Sequence, residues 1–116
     1  MVLTGNQKEN RSTQRLNFHS QIRYQLRGKP EFDRGISKDI SFGGLGFINE
    51  QFIPTASLLM LEINVLNRII RPVGRVAWSQ SLAHSNRNQM GIEFVEFNQV
   101  DQKYLKDFIG MQTAQA

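Results

Sequence analysis

A chain of 116 residues, 40% of them hydrophobic, can fill one core but not two, and suits a folded globular protein rather than a disordered one. The absence of cysteine excludes a disulfide framework, a thiol nucleophile and thiolate metal sites, and no apolar run approaches the roughly 18 residues of a membrane-spanning helix. A formal net charge of +4 favours an anionic partner without separating nucleic acid from a small phosphate ligand.

Residues 1–10 are polar and aperiodic and read as a flexible arm; they hold no apolar signal-peptide core, so a cytoplasmic location is expected. The tripeptide Asn10-Arg11-Ser12 matches a glycosylation acceptor, but nothing in the chain suggests secretion. Next comes Arg11-Ser12-Thr13-Gln14-Arg15. Two arginines four apart in an irregular segment can clamp an anion, because the guanidinium fork binds phosphate bidentately and also lies flat on aromatic rings.

From residue 18 to 26 apolar and polar residues alternate, with Phe18, Ile22, Tyr24 and Leu26 on one side, which predicts a strand with one wet face. Arg27-Gly28-Lys29-Pro30 is a turn. A second strand runs from Phe32 into Asp39-Ile40-Ser41-Phe42-Gly43-Gly44-Leu45-Gly46, with Ile36 and Ile40 expected on one face, and a third runs from Leu45 to Ile48 with Leu45 and Phe47 together. This stretch puts a carboxylate, a hydroxyl and three glycines within eight residues. Such glycine density at a strand junction lets the backbone bend and lets a ligand approach its amides.

Residues 49–56 form a connection, and residues 57–65 the most apolar strand, with Leu59, Leu61, Ile63 and Val65 inward. Asn67 is a turn residue. Residues 68–79 read as one strand with Ile70, Val76 and Trp78 on a shared face, and Pro72 and Gly74 within it argue for an edge or a bulge. Trp78, Met60 and Met90 read as core. Residues 80–88 are a polar loop, and the last strand, 89–97, points Met90, Ile92 and Phe94 inward. Val100, Tyr104, Leu105, Phe108 and Ile109 then make one helical stripe, with Asn98 as N-cap and Gly110 as stop. About six antiparallel strands and one helix can close into a small barrel, or form an open sheet against the helix.

Catalysis has little support in the sequence. His19 and His84 have no partner at metal-ligand spacing, and Glu93 and Glu96 fall on opposite faces of a regular strand. Ser41 has no neighbouring base, and Gly43-Gly44-Leu45-Gly46 lacks the lysine of a phosphate-binding loop. A non-enzymatic chain without a cofactor is expected.

Read together, Arg11-x-x-x-Arg15 and Asp39-x-Ser41-x-x-Gly44 resemble the PilZ domain family, and Gly74-Arg75-Val76-Ala77-Trp78 and Met90-Gly91-Ile92-Glu93-Phe94 look like the family's later strands. The resemblance implies an all-β fold, a six-stranded antiparallel β-barrel with one C-terminal α-helix, with residues 1–10 as arm, 11–112 as the domain and 113–116 as tail. It also implies binding of the bacterial second messenger cyclic di-GMP by Arg11, Arg15, Asp39, Ser41, Gly43 and Gly44. On chemical grounds the arginines suit phosphate or the guanine O6/N7 edge, Asp39 the guanine Watson–Crick N–H groups, Ser41 one hydroxyl contact, and Gly43 and Gly44 a close approach to the base. Asn10 stands where the family's two-ligand members have a basic residue, which favours a single ligand. Arg34 and Lys38 bring charge nearby without a motif role.

The arm, residues 10–16 above all, is expected to order over the barrel on binding, and the signal to reach an unidentified downstream protein or a second copy of the chain. Motility, pilus or exopolysaccharide machinery comes from the resemblance alone. Two alternatives compete: a PilZ-fold module that works through protein contacts without nucleotide, and a basic barrel that binds single-stranded nucleic acid on Tyr24, Phe32 or Phe47.

Overall fold

A computed structural model describes residues 15–114. It contains β1 (Leu16–Asn17), β2 (Gln21–Leu26), β3 (Phe32–Ser41), β4 (Gly44–Asn49), β5 (Leu58–Val65), β6 (Arg68–Ile70), β7 (Val73–Ser81), β8 (Asn88–Glu96) and α1 (Gln99–Ala114). Six strands close into an antiparallel ring in the order β3-β2-β5-β7-β8-β4, sealed by β3 against β4. The two short strands are additions: β1 lies on the second half of β3, and β6 continues β5 through a hairpin. That hairpin turns at Leu66 and Asn67, both at positive φ (49° and 70°), as the right-handed strand twist favours in a two-residue loop.

Alternation works as expected along β2 and β5. Ile22, Tyr24, Leu59, Leu61, Ile63 and Val65 are buried in one core with Ile40, Leu45, Phe47, Met90 and Ile92. Helix α1 covers the barrel end near the Leu66–Asn67 turn: Leu105 and Phe108 enter the core, Phe108 meets Phe18 edge-on at 6.1 Å, and the Tyr104 hydroxyl donates to Val65 O at 2.9 Å. Asn98 caps the helix, its Oδ1 accepting Asp101 N–H at 2.8 Å. Ile53, from the β4–β5 connection, is buried at the other end beside Tyr24 and Leu26.

Several expectations need correction. Pro72 splits the 68–79 strand into β6 and β7, because it has no N–H for the ladder. Met60 is exposed, since it belongs to the outward parity of β5. Val100 is exposed while Asp101 is buried, bonded to Arg71 N–H and Arg68, so the helix leans on its polar first turn. Gly110 does not stop the helix, which continues to Ala114. Ile36, Trp78 and Glu96 each lie on the opposite face from the one alternation predicts, and all for one reason. The pairing slips by one residue between Ser37 and Asp39 on β3, between Val76 and Trp78 on β7, and between Glu96 and Phe94 on β8. Each slip is a β-bulge, and one extra residue reverses the inward-outward alternation beyond it.

Candidate ligand-binding site

The bulge at Lys38 leaves Ser37 inside and turns Asp39 outward. The bulge at Ala77 leaves Val76 inside and turns Trp78 outward, where it is 45% exposed. The two residues meet in one transverse row: Asp39 pairs with Gly46, Gly46 with Gly91, and Gly91 with Trp78. Paired residues in adjacent strands project to the same side, so the row presents a carboxylate, two bare backbones and an indole on the outer wall. Both side chains lean inward over the glycines. A Cβ on Gly46 would sit 2.8 Å from Asp39 Oδ1, and one on Gly91 would collide with Trp78 Nε1. Acid and indole therefore lie over the two glycines, which are buried, and form the two sides of a shallow trough along the seam between β4 and β8.

This arrangement has an energetic cost. The bulge that expels Trp78 draws Ser79 inside, level with Met90 and Phe47, and its Oγ is buried with no hydrogen-bond partner among the described residues. An orphaned hydroxyl costs about 1–3 kcal/mol, and leaving an indole half in water forfeits its burial. Strain and misplaced apolar surface of this kind gather where binding needs them.

Asp39 Oδ1 accepts two donors, Gly46 N–H at 3.0 Å and Arg15 Nη1 at 2.8 Å. Arg15 is brought there by β1, whose Leu16 and Asn17 pair with Ile40 and Asp39 and whose neighbour Phe18 is wedged under α1. With the two side chains 48% and 24% exposed, the ion pair is worth about 0–1 kcal/mol, which an incoming ligand can replace. Of the segment expected to order on binding, Arg15 and Leu16 are already held against β3, and Arg11, with the rest of residues 10–14, lies outside the described residues.

Ser41, Gly43 and Gly44 lie at the β3–β4 hairpin. Ser41 is 1% exposed, and its Oγ accepts N–H bonds from Gly43 and Gly44, both at 3.2 Å, so the hydroxyl braces the turn. A Cβ on Gly44 would run into the Ile92 carbonyl of β8, whereas one on Gly43 would meet nothing. Neither glycine has positive φ; among the described glycines only Gly28 does, at 90°. Gly44 is thus explained by the close approach of β8 and Gly46 by the Asp39 carboxylate lying over it, rather than by bending. Arg34 lies on the first half of β3 opposite Arg23, away from Asp39, and Lys38 is exposed at the bulge. Of the proposed stacking platforms, Tyr24 and Phe47 are buried, and Phe32 lies under the Arg23 guanidinium at 3.7 Å.

Trp78 and the Gly46–Gly91 floor were not identified from sequence as part of a site. One signal was present: the only tryptophan of the chain stands next to a glycine- and proline-broken strand, where bulges concentrate.

The fold is thus a small closed β-barrel that carries a carboxylate and an indole on one row of its outer wall. The PilZ domain family model matches residues 9–110, and the chain belongs to that family, a family of cyclic di-GMP receptors. Solved structures agree on the fold. The Bacillus subtilis inhibitor of motility MotI/DgrA superposes with a TM-score of 0.71 at 22% identity, covering 88% of this chain and 50% of that one. The PilZ domain of CeSA from a cellulose-synthesizing bacterium gives 0.62 at 11% identity, with 86% and 99% covered. MrkH of K. pneumonia in its apo state gives 0.60 at 19% identity, with 88% and 52% covered. The chain thus spans about half the length of MotI/DgrA and of MrkH. No curated protein matches it in sequence.

Proposed function

We propose that this chain binds cyclic di-GMP in the Asp39–Trp78 trough and acts as a non-enzymatic receptor that passes the signal to another protein. The observation that carries this reading is the shared outward row of Asp39, Gly46, Gly91 and Trp78, with Arg15 resting on Asp39. A guanine laid between Asp39 and the indole offers its Watson–Crick N–H groups to the Asp39 carboxylate, a recognition adenine does not match, and meets the indole on its other side. Arg15, released from Asp39, turns to the phosphate or the O6/N7 edge, and Arg11 supplies the second guanidinium. Ser41 and Gly44 contribute by holding the hairpin that sets the height of Asp39 over Gly46, and Gly43 leaves the turn open above it.

Titration calorimetry with cyclic di-GMP, cyclic di-AMP and GTP is the test. Saturable heat is expected with the first alone, at one ligand per chain. Arg15→Ala or Asp39→Ala should weaken binding about ten- to a hundredfold, as the loss of one charged hydrogen bond of about 1.5–3 kcal/mol requires. The single tryptophan makes fluorescence a second readout, quenched or shifted at saturation. Absence of both heat and fluorescence change with cyclic di-GMP overturns the reading.

A further inference from the structure

The side of the barrel turned away from the trough carries a second cluster that ligand binding does not use. On the outer wall of β2, β5 and the first half of β3, Phe32, Gln25, Met60 and Val73 form one transverse row, and Arg34, Arg23 and Glu62 form the next. Phe32 is 41% exposed and Met60 46%, an apolar strip beside a charged one. Glu62 receives Arg23 at 2.9 Å and Arg71 at 3.5 Å, while Arg34 has no ion-pair partner among the described residues. Glu96, opposite Val73, ends the apolar row, and three arginines against two glutamates leave this wall positive.

We infer that this wall is the docking surface for an acidic, partly apolar segment of a protein partner, its carboxylates meeting Arg34, Arg23 and Arg71 and its apolar side chains covering Met60 and Phe32. Exposed aromatic, methionine and arginine side chains in one patch are the composition enriched at protein interfaces. The guanidinium groups are also set in advance. Arg23 is stacked on Phe32 at 3.7 Å and tied to Glu62, so it gives up little side-chain freedom when a partner arrives. A second copy seated symmetrically would bring two net-positive walls together, which disfavours it. The same stacking disfavours a nucleic acid, because Arg23 occupies the Phe32 face that a base would need. The two walls share β3, which bears Phe32 and Arg34 on its first half and Asp39 beyond the bulge, so both can be occupied at once.

The test uses a short synthetic peptide that alternates glutamate with leucine and phenylalanine, titrated into the full chain while backbone amide NMR shifts are followed. Saturable shifts are expected at Phe32, Arg34, Met60 and Glu62 and not at Gly46 or Gly91. Arg34→Glu, which places a carboxylate opposite Arg23 and does not threaten the fold, should weaken the peptide about tenfold or more. Met60→Ser, with an unchanged melting midpoint, should weaken it through the apolar strip. Both variants should bind cyclic di-GMP as the parent does, so the result stands apart from the fate of the trough. No saturable binding, equal binding of a lysine-for-glutamate peptide, binding of oligothymidylate at the same residues, or self-association abolished by Arg34→Glu would each overturn the assignment.

Discussion

The two walls of this barrel are built by different rules. Along β2 and β5 every second side chain points inward without interruption, and the outer face carries what the pattern leaves there: Arg23, Met60 and Glu62. Along β3, β7 and β8 the alternation is broken once per strand, and the breaks at Lys38 and Ala77 set a carboxylate and an indole on a common outer row above two glycines. The regular wall maximises burial. The bulged wall gives up part of it, exposing Trp78 and stranding the Ser79 hydroxyl, and brings the groups of the proposed site onto one row.

The most severe way to break that contrast is to delete Ala77. Val76 then steps straight to Trp78, which keeps its outward place opposite Gly91, but β7 loses the extra residue that bends and twists it, and the closed ring must absorb the change. The expected result is a loss of about 3 kcal/mol or more in denaturant unfolding and weaker cyclic di-GMP binding, with tryptophan emission staying that of a half-exposed indole; a blue shift would show that the partner register does not set its side.

Next is the pair of hairpin glycines. Gly44→Ala should cost about 3 kcal/mol, because the backbone carbonyl of Ile92 cannot move aside, whereas Gly43→Ala should change stability by less than about 0.5 kcal/mol. Equal effects would show that the close approach of β4 to β8 is not what requires glycine.

On the regular wall the informative residue is Tyr24. Its hydroxyl accepts from Asn49 Nδ2 at 2.6 Å inside the barrel. Burial pushes its pKa above the ordinary 10.0, opposed by the Asn49 hydrogen bond and assisted by the nearby Asp33 charge. A folded-state value above the unfolded one means stability is fully present below pH ~10 and falls as pH rises through the folded value. Tyr24→Phe should remove that alkaline loss and cost about 1–2 kcal/mol at neutral pH, read from unfolding midpoints across pH. The smallest effect belongs to Ser79→Ala, which should be neutral or stabilising by up to about 1 kcal/mol, since it deletes an unpaired buried hydroxyl.

Much of this was legible in the residues. The inward faces of the strands at Ile22, Tyr24, Leu59, Leu61, Ile63, Leu45 and Phe47, the turns at Gly28 and Asn67, and the cap at Asn98 follow from period-two alternation, turn chemistry and helix-end hydrogen bonding, all of which act over a few neighbouring residues. The PilZ resemblance implied that Arg15 and Asp39 serve one ligand, and the structure places the two side chains in contact.

Whether Ile36, Trp78 and Glu96 faced in or out could not be read the same way. A bulge is decided by the register of the partner strand, and that partner lies outside the strand that carries the bulge, in β4 for Lys38 and in β8 for Ala77. Local chemistry thus determined which segments became strands, where they turned and which anion-binding groups they carried. Only closure of the ring decided which of those groups share a face, because pairing between distant strands, not propensity within one, sets the side to which each side chain points.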